Sequence, residues 1–192
     1  VVYPRHRGTA NPDGVLPQEV EMAIRKVARM GHPVLRQVAR AVPAEAVPGP
    51  EVQRLVDDML ETVRDYDGAG LAAPQVHASL RIVVLQLSEE RGMEVWINPA
   101  LTPLTDEGYA SWEGCLSVPG LRGLVVRPAA VKVEALDRHG QPLVLELRGY
   151  PAVVAQHECD HLDGVIYVDR VEPGTLSFLE ELRRYPPSFG EE

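Results

Sequence analysis

Long apolar runs are missing from this chain. None approaches the ~18 residues that a membrane-spanning helix requires, and the first thirty residues carry charges throughout, without the apolar centre of a signal peptide. These absences point to a cytoplasmic protein with no membrane partner. Cysteine is scarce, at two in 192 residues. One disulfide could form in principle, but in a cytosolic chain with histidines nearby a metal reading is better. Clustered positive charge is also absent. The net charge is −9 with a pI near 5.2, and the basic residues are scattered, so no nucleic-acid patch is indicated. A phosphate-binding loop is missing too: the glycines of Gly68-Ala69-Gly70 come after a helical stretch rather than before one, and no Lys-Ser/Thr pair follows them. The sequence shows no internal repeat and no low-complexity tract. With 45% hydrophobic residues the length suits one core, and a single domain over 1–192 is expected. Its residues 1–17 hold Pro4, Gly8, Pro12 and Gly14 without apolar periodicity, and read as a loosely ordered arm.

What the chain does contain is Gln156-His157-Glu158-Cys159-Asp160-His161, an HExxH sequence inside the apolar-flanked run Ala152 to Leu162. On a helix, His157 and His161 stand one turn apart on one face, with Cβ atoms about 5–6 Å apart, so both imidazoles can reach one cation. Glu158 lies about 100° further round, off that grip but within reach of a water beside the cation, where a carboxylate can take and return a proton. Cys159 lies about 160° round the helix from each of the two histidines, which gives it a packing role.

A catalytic site of this type takes three protein ligands and keeps a fourth position open. A histidine three residues beyond the glycine, as in HExxHxxGxxH, would be the third; Gly164 is in place, but Tyr167 occupies the last position. Two sources remain. Glu180 or Glu181 could serve from a later helix, as in an endopeptidase. Alternatively, Cys115 in Glu113-Gly114-Cys115-Leu116-Ser117, a cysteine in a turn-like setting, would complete a Cys-His-His set as its thiolate. A non-enzymatic domain with a closed structural site would need a fourth protein ligand.

Around these motifs the pattern of elements is as follows. Val52, Leu55, Val56, Met59, Leu60 and Val63 recur at helical spacing and predict a helix over 51–66, stopped at Asp67-Gly68. Residues 18–30, with Val20, Ile24 and Val27, read as a short helix or an extended lead-in broken by Gly31-His32-Pro33, where His32 has a turn or packing role. Strands are expected over 81–87, 94–98, 129–137 and 143–147, the last two joined by a hairpin turn at Arg138-His139-Gly140-Gln141. Tyr150-Pro151 opens the HExxH helix and Asp163-Gly164 closes it ahead of a strand over 165–168. Leu176, Leu179 and Leu182 make one face of a final helix. The order implies an α+β fold, mostly antiparallel β-sheets wrapped around a central metal-binding helix, with a C-terminal helix.

Three motifs in one order, Gly68-Ala69-Gly70-Leu71-Ala72-Ala73-Pro74-Gln75, Glu113-Gly114-Cys115-Leu116-Ser117 and Gln156-His157-Glu158-Cys159-Asp160-His161, resemble the peptide deformylase family. The flanks Gly31-His32-Pro33-Val34-Leu35-Arg36 and Ile166-Tyr167-Val168-Asp169 extend the likeness. One departure is Ala69, where many members carry a bulkier aliphatic residue, which bears on the shape of the adjoining pocket. The resemblance implies a hydrolase that removes the formyl group from formylmethionyl nascent peptides near the ribosome and releases formate. It implies Cys115, His157 and His161 as metal ligands and Glu158 as the proton carrier. The side-chain amide of Gln75 and the backbone N–H of Leu116 would be oxyanion donors. Gly68, Ala69, Gly70 and Gly114 would pair with the substrate backbone, and Val153 and Val154 would line the pocket for the methionine side chain. The family's native metal is Fe2+, with Zn2+, Ni2+ or Co2+ as other occupants of such sites.

Overall fold

A computed structural model describes residues 23–186; the expected arm and residues 18–22 of the lead-in lie outside the described residues. Of the two readings of the lead-in, 23–30 takes the extended one. Helix α1 (Pro50–Asp65) follows Gly49, with Pro50 in its first turn, where a missing N–H costs nothing. It buries Val52, Leu55, Val56, Met59 and Val63 of the stripe read from the sequence, whose remaining member, Leu60, is half-buried.

Eight strands follow in two sheets. The larger runs β1 (Gly70–Ala72), β2 (Ile82–Gln86), β3 (Met93–Pro103), β6 (Ala130–Leu136) and β7 (Pro142–Arg148), in that spatial order and antiparallel throughout. The smaller has the order β4 (Gly108–Cys115), β5 (Val118–Pro128), β8 (Ser177–Phe178), also antiparallel. Strand β2 is buried on both faces. Its Ile82 and Val84 pack with α1, while Val83 and Leu85 pack with Ala152, Val154, Ala155 and Leu162 of the HExxH helix, α2 (Tyr150–Leu162). The large sheet therefore lies between the two helices, and α2 also touches β4 and β5. At about 25 cal/mol per Å2 of apolar surface removed from water, the packing of Ala152, Val154, Ala155 and Leu162 against β2 anchors α2.

Three expectations are corrected. The expected strand over 165–168 is absent: Tyr167–Asp169 form a 3-10 turn, because the Asp169 carboxylate accepts the Ile166 N–H (3.0 Å) and so closes a local loop that competes with a ladder. The final helix, α3 (Leu179–Arg184), does not include Leu176, which is exposed; Ser177 and Phe178 instead pair with Arg122 and Leu121 of β5. Cys115 ends a strand, and the turn comes after it at Leu116–Ser117. The β4–β5 hairpin has no counterpart among the strands expected from the sequence. Smaller readings agree: His32 caps a turn by accepting the Val34 N–H at its Nδ1 (3.2 Å), and its ring stands edge-on to His77.

Candidate active site

Helix α2 presents His157 and His161 on one side, ring centroids 5.2 Å apart. Cys115, at the end of β4, faces them. Its Sγ is 3.2 Å from His161 Nε2, and the donor atoms of Cys115, His157 and His161 lie within 4.8 Å of one another, close enough for one ion to touch all three. Glu180 and Glu181 are exposed on α3 and stand outside this cluster. The chemistry of the set suits a borderline-soft divalent ion, with one thiolate and two imidazoles as three of four positions. His157 Nδ1 is engaged by Glu113 Oε2 at 2.8 Å, which fixes the ring and leaves Nε2 for the ion.

The electrostatics agree with a thiolate. Burial alone would push the Cys115 thiol up, but His161 and His157 together hold it well below its ordinary value. For His157, burial opposes the charged form, yet hydrogen bonds to Cys115 and Glu113 raise it well above the usual imidazole range. Burial pushes the Glu158 carboxyl up to about 7, against the pull of both histidines. Cys159 is buried on another side of α2, where burial drives its thiol upward; it takes no part in the cluster.

The cluster opens on a cleft of about 850 Å3. Gly68, Ala69, Gly70, Gln75, Gly114, Leu116, Val153, Val154 and Glu158 all line it, so the nine residues that the resemblance implies beside the three candidate ligands reach one cavity. Two sheet edges flank it, since β1 ends the large sheet and β4 ends the small one. Gly70 is tightly constrained here: a Cβ on it would fall 2.5 Å from Glu158 Oε1. Gln75 is held by its Oε1, which accepts the Ala72 N–H (2.7 Å); its Nε2 donates towards Cys115 Sγ (3.4 Å) and Ser117 Oγ (3.2 Å). Val153 is buried yet belongs to no core cluster, whereas Val154 is shared between the cleft and the core behind α2.

Several participants were not singled out from the sequence. Arg127 forks onto Glu113 (2.6 and 3.0 Å) and reaches Asp160 (2.8 Å), which in turn holds Arg170. Both Arg127 and Glu113 are almost wholly buried, and the attraction of His157 and Arg127 overcomes burial to hold the Glu113 carboxyl below its usual range. Tyr167 stacks on His157 with centroids 6.0 Å apart. No spacing signal links Glu113, Arg127 and Asp160, which come from β4, β5 and α2.

A family model of polypeptide deformylases matches residues 24–176. The chain belongs to the peptide deformylase family. The peptide deformylase of Stutzerimonas stutzeri is 47% identical over 149 residues, covering 77% of this chain and 87% of that one. Peptide deformylase 1 of Nitrosomonas europaea is 42% identical over 156 residues, covering 77% and 88%. Among solved structures, the deformylase of Thermotoga maritima matches with a TM-score of 0.73 at 37% identity, over 78% of this chain and 99% of that one. The class I type b deformylase of Acinetobacter baumannii in its Met-Ala-Ser-bound form matches at 0.73 and 33%, with the same coverage. The α+β fold with antiparallel sheets and a C-terminal helix is the fold of these deformylases. Among the described residues no helix is long and apolar enough to cross a membrane.

Proposed function

We propose that Cys115, His157 and His161 hold the divalent metal on which this family depends, and that Glu158, Gln75 and Leu116 act on the formyl group beside it. The chain is a hydrolase that removes the N-formyl group from the formylmethionine of newly made peptides. The observation that carries the residue assignment is the convergence of one thiol and two imidazoles within 4.8 Å of one another, beside a cleft that Cys115, His157 and Glu158 line. A divalent ion in a three-donor site supplies Lewis acidity and lowers the pKa of water towards about 7.

This chain's own residues do the rest. An extended peptide fits between the edges of β1 and β4, where backbone groups of Gly68, Ala69, Gly70 and Gly114 can pair with it as with an added strand, a mode tolerant of sequence. Val153 and Val154 offer an apolar wall to the methionine side chain. Glu158 takes the proton from the attacking water and hands it to the departing amine, and a carboxyl near neutrality suits both tasks. Negative charge that develops on the formyl oxygen meets the Gln75 amide and the Leu116 N–H; one Gln75 hydrogen is available once its long contact with Cys115 is given up. Glu113 and Arg127 hold His157 from behind.

The same reading takes 1–192 as one catalytic domain in the cytoplasm, working on nascent peptides near the ribosome. It names Fe2+ as the metal in the cell, with Zn2+, Ni2+ or Co2+ able to substitute, since a thiolate and two imidazoles suit all four. Cys115→Ala tests the assignment: metal content measured on protein purified without oxygen falls to near zero, and formyl-Met peptide turnover falls with it. Full metal occupancy in that variant refutes it.

A further inference from the structure

The chain carries a net charge of −9, yet three basic residues, Lys26, Arg29 and Arg122, line the cleft. Residues 23–30 owe their extended course to backbone bonds. Ala23 and Arg25 donate to Asp58 Oδ1 (2.9 Å) and Thr62 Oγ1 (2.8 Å) of α1, then Ala28 donates to Gln75 O (2.7 Å) and Met30 to Ser117 O (2.8 Å). The segment is thus drawn from α1 to Gln75 and to Ser117, whose hydroxyl accepts from the Gln75 amide, with Val27 and Ala28 turned inward and Lys26 and Arg29 exposed.

The charges on this segment are treated differently. The Arg25 guanidinium is neutralised by Asp58 at 2.8 Å. Lys26 and Arg29 have no carboxylate within 4.0 Å among the described residues. Arg122 also lacks one; its Nη1 donates to Leu121 O (3.0 Å) and lies across Gly114, where an added Cβ would fall 1.7 Å from it. On the same lining, Glu113 is already matched by Arg127, which leaves the exposed Asp67 and the buried Glu158 as the other acidic groups. Three cations that line a cavity without a carboxylate partner among the described residues attract anions that the rest of an acidic surface repels.

Resting on the function proposed above, we infer that Lys26, Arg29 and Arg122 form a carboxylate-accepting subsite that favours formylated peptides bearing an acidic group one or two residues beyond the formylmethionine. An extended peptide advances about 3.3 Å per residue, and one paired with the β4 edge runs past Gly114, where the Arg122 guanidinium lies. The accepted group is a carboxylate, supplied by an Asp or Glu side chain or by the free C-terminus of a short peptide.

The test compares kcat/KM for formyl-Met-Ala-Asp-amide, formyl-Met-Ala-Ala-amide, formyl-Met-Ala-Lys-amide and formyl-Met-Ala-Ala with a free carboxylate. At low salt the Asp amide should exceed the Ala amide by roughly three- to tenfold, through KM, with the Lys amide below both. Raising ionic strength to about 1 M should bring the ratios towards one, because exposed charges are screened. The K26A/R29A variant should do the same at low salt. A free-carboxylate peptide that equals the Asp amide assigns the preference to any carboxylate; one that equals the Ala amide assigns it to the side chain. Equal values for Asp and Lys amides, or a preference that survives K26A/R29A, overturns the subsite. If no peptide is hydrolysed, the activity reading fails instead, and inhibition constants of the unformylated Met-Ala-Asp and Met-Ala-Lys amides decide the charge preference by binding alone.

Discussion

Adding one methyl group at Gly70 is a sharp probe of how Glu158 works. In the wild-type geometry that carbon would stand 2.5, 2.7 and 2.8 Å from Oε1, Cδ and Cγ of Glu158, so the whole end of the side chain blocks it. Ordinary contact needs roughly 3.5 Å or more between such atoms, so the carboxylate must move by about 1 Å or β1 must retreat. Retreat is resisted, since β1 is tied to β2 through three residue pairs and Leu71 and Ala72 are fully buried. Overpacking of this kind costs about 1–3 kcal/mol, which leaves the fold intact. A displacement of about 1 Å at a reacting group costs on the order of 10²-fold in rate. Gly70→Ala should therefore keep its metal, lose only a few degrees in Tm, and drop about 10²-fold in kcat/KM on a formyl-Met tripeptide. The assays are metal content, thermal melting and steady-state turnover on one preparation. Turnover near wild type would show that the carboxylate position is uncritical and would remove Glu158 from the mechanism as argued.

Other outcomes follow from the same geometry. Glu158→Gln should retain metal and fold while losing about 10²–10⁴-fold in turnover; a metal-free variant would make Glu158 a ligand instead of a base. Burial raises this carboxyl from 4.5 to about 7, so the metal-free protein binds a proton there more tightly than the unfolded chain does. That contribution to stability is full below pH 4.5 and is lost as pH rises through about 7, a change of about 3 kcal/mol; denaturant melts of metal-free wild type against Glu158→Gln should diverge in that window, and parallel pH profiles would refute it. Arg127→Met should cost about 3–5 kcal/mol by stranding the buried Glu113 charge and should loosen metal about 10–100-fold through His157; denaturant melts and metal competition measure both, and an unchanged metal affinity would refute the link. Formyl-Met peptides should be hydrolysed at least about 10²-fold faster than acetyl-Met peptides, because an extra methyl between Glu158, Gln75 and Leu116 displaces both attack distance and oxyanion alignment; a ratio near one in kcat/KM would refute a narrow acyl site.

How far the sequence carries depends on which force places each residue. The spacing of His157, Glu158 and His161 is a property of one helix, so their common site could be read without tertiary knowledge, as could the apolar stripe of α1. Cys115 is 42 residues from His157, and its candidacy rested on motif order, because residue types alone left Glu180 and Glu181 open. The β4–β5 hairpin escaped notice for a physical reason. Its strands carry Gly108, Gly114, Gly120 and Gly123 together with Pro119 and Arg127, and they alternate poorly, since one face serves a cleft instead of a uniform core.

The same logic explains Glu113 and Arg127. A buried guanidinium must find carboxylates, but the sequence does not say which, and the partners sit 14 and 33 residues away on different elements. Their burial follows from the site itself: once β4 carries Cys115 to α2, the residue two positions earlier on the same strand face is buried beside His157, and only a charge-matched pair is stable there. Residues 23–30 are the complementary case. They are held chiefly by backbone N–H groups donating to Asp58, Thr62, Gln75 and Ser117, so side-chain periodicity carries no trace of their course. What fixes Lys26 and Arg29 at the cleft is therefore a set of backbone hydrogen bonds made by their neighbours, which any residue but proline can make and which leave those two side chains free to face the cavity.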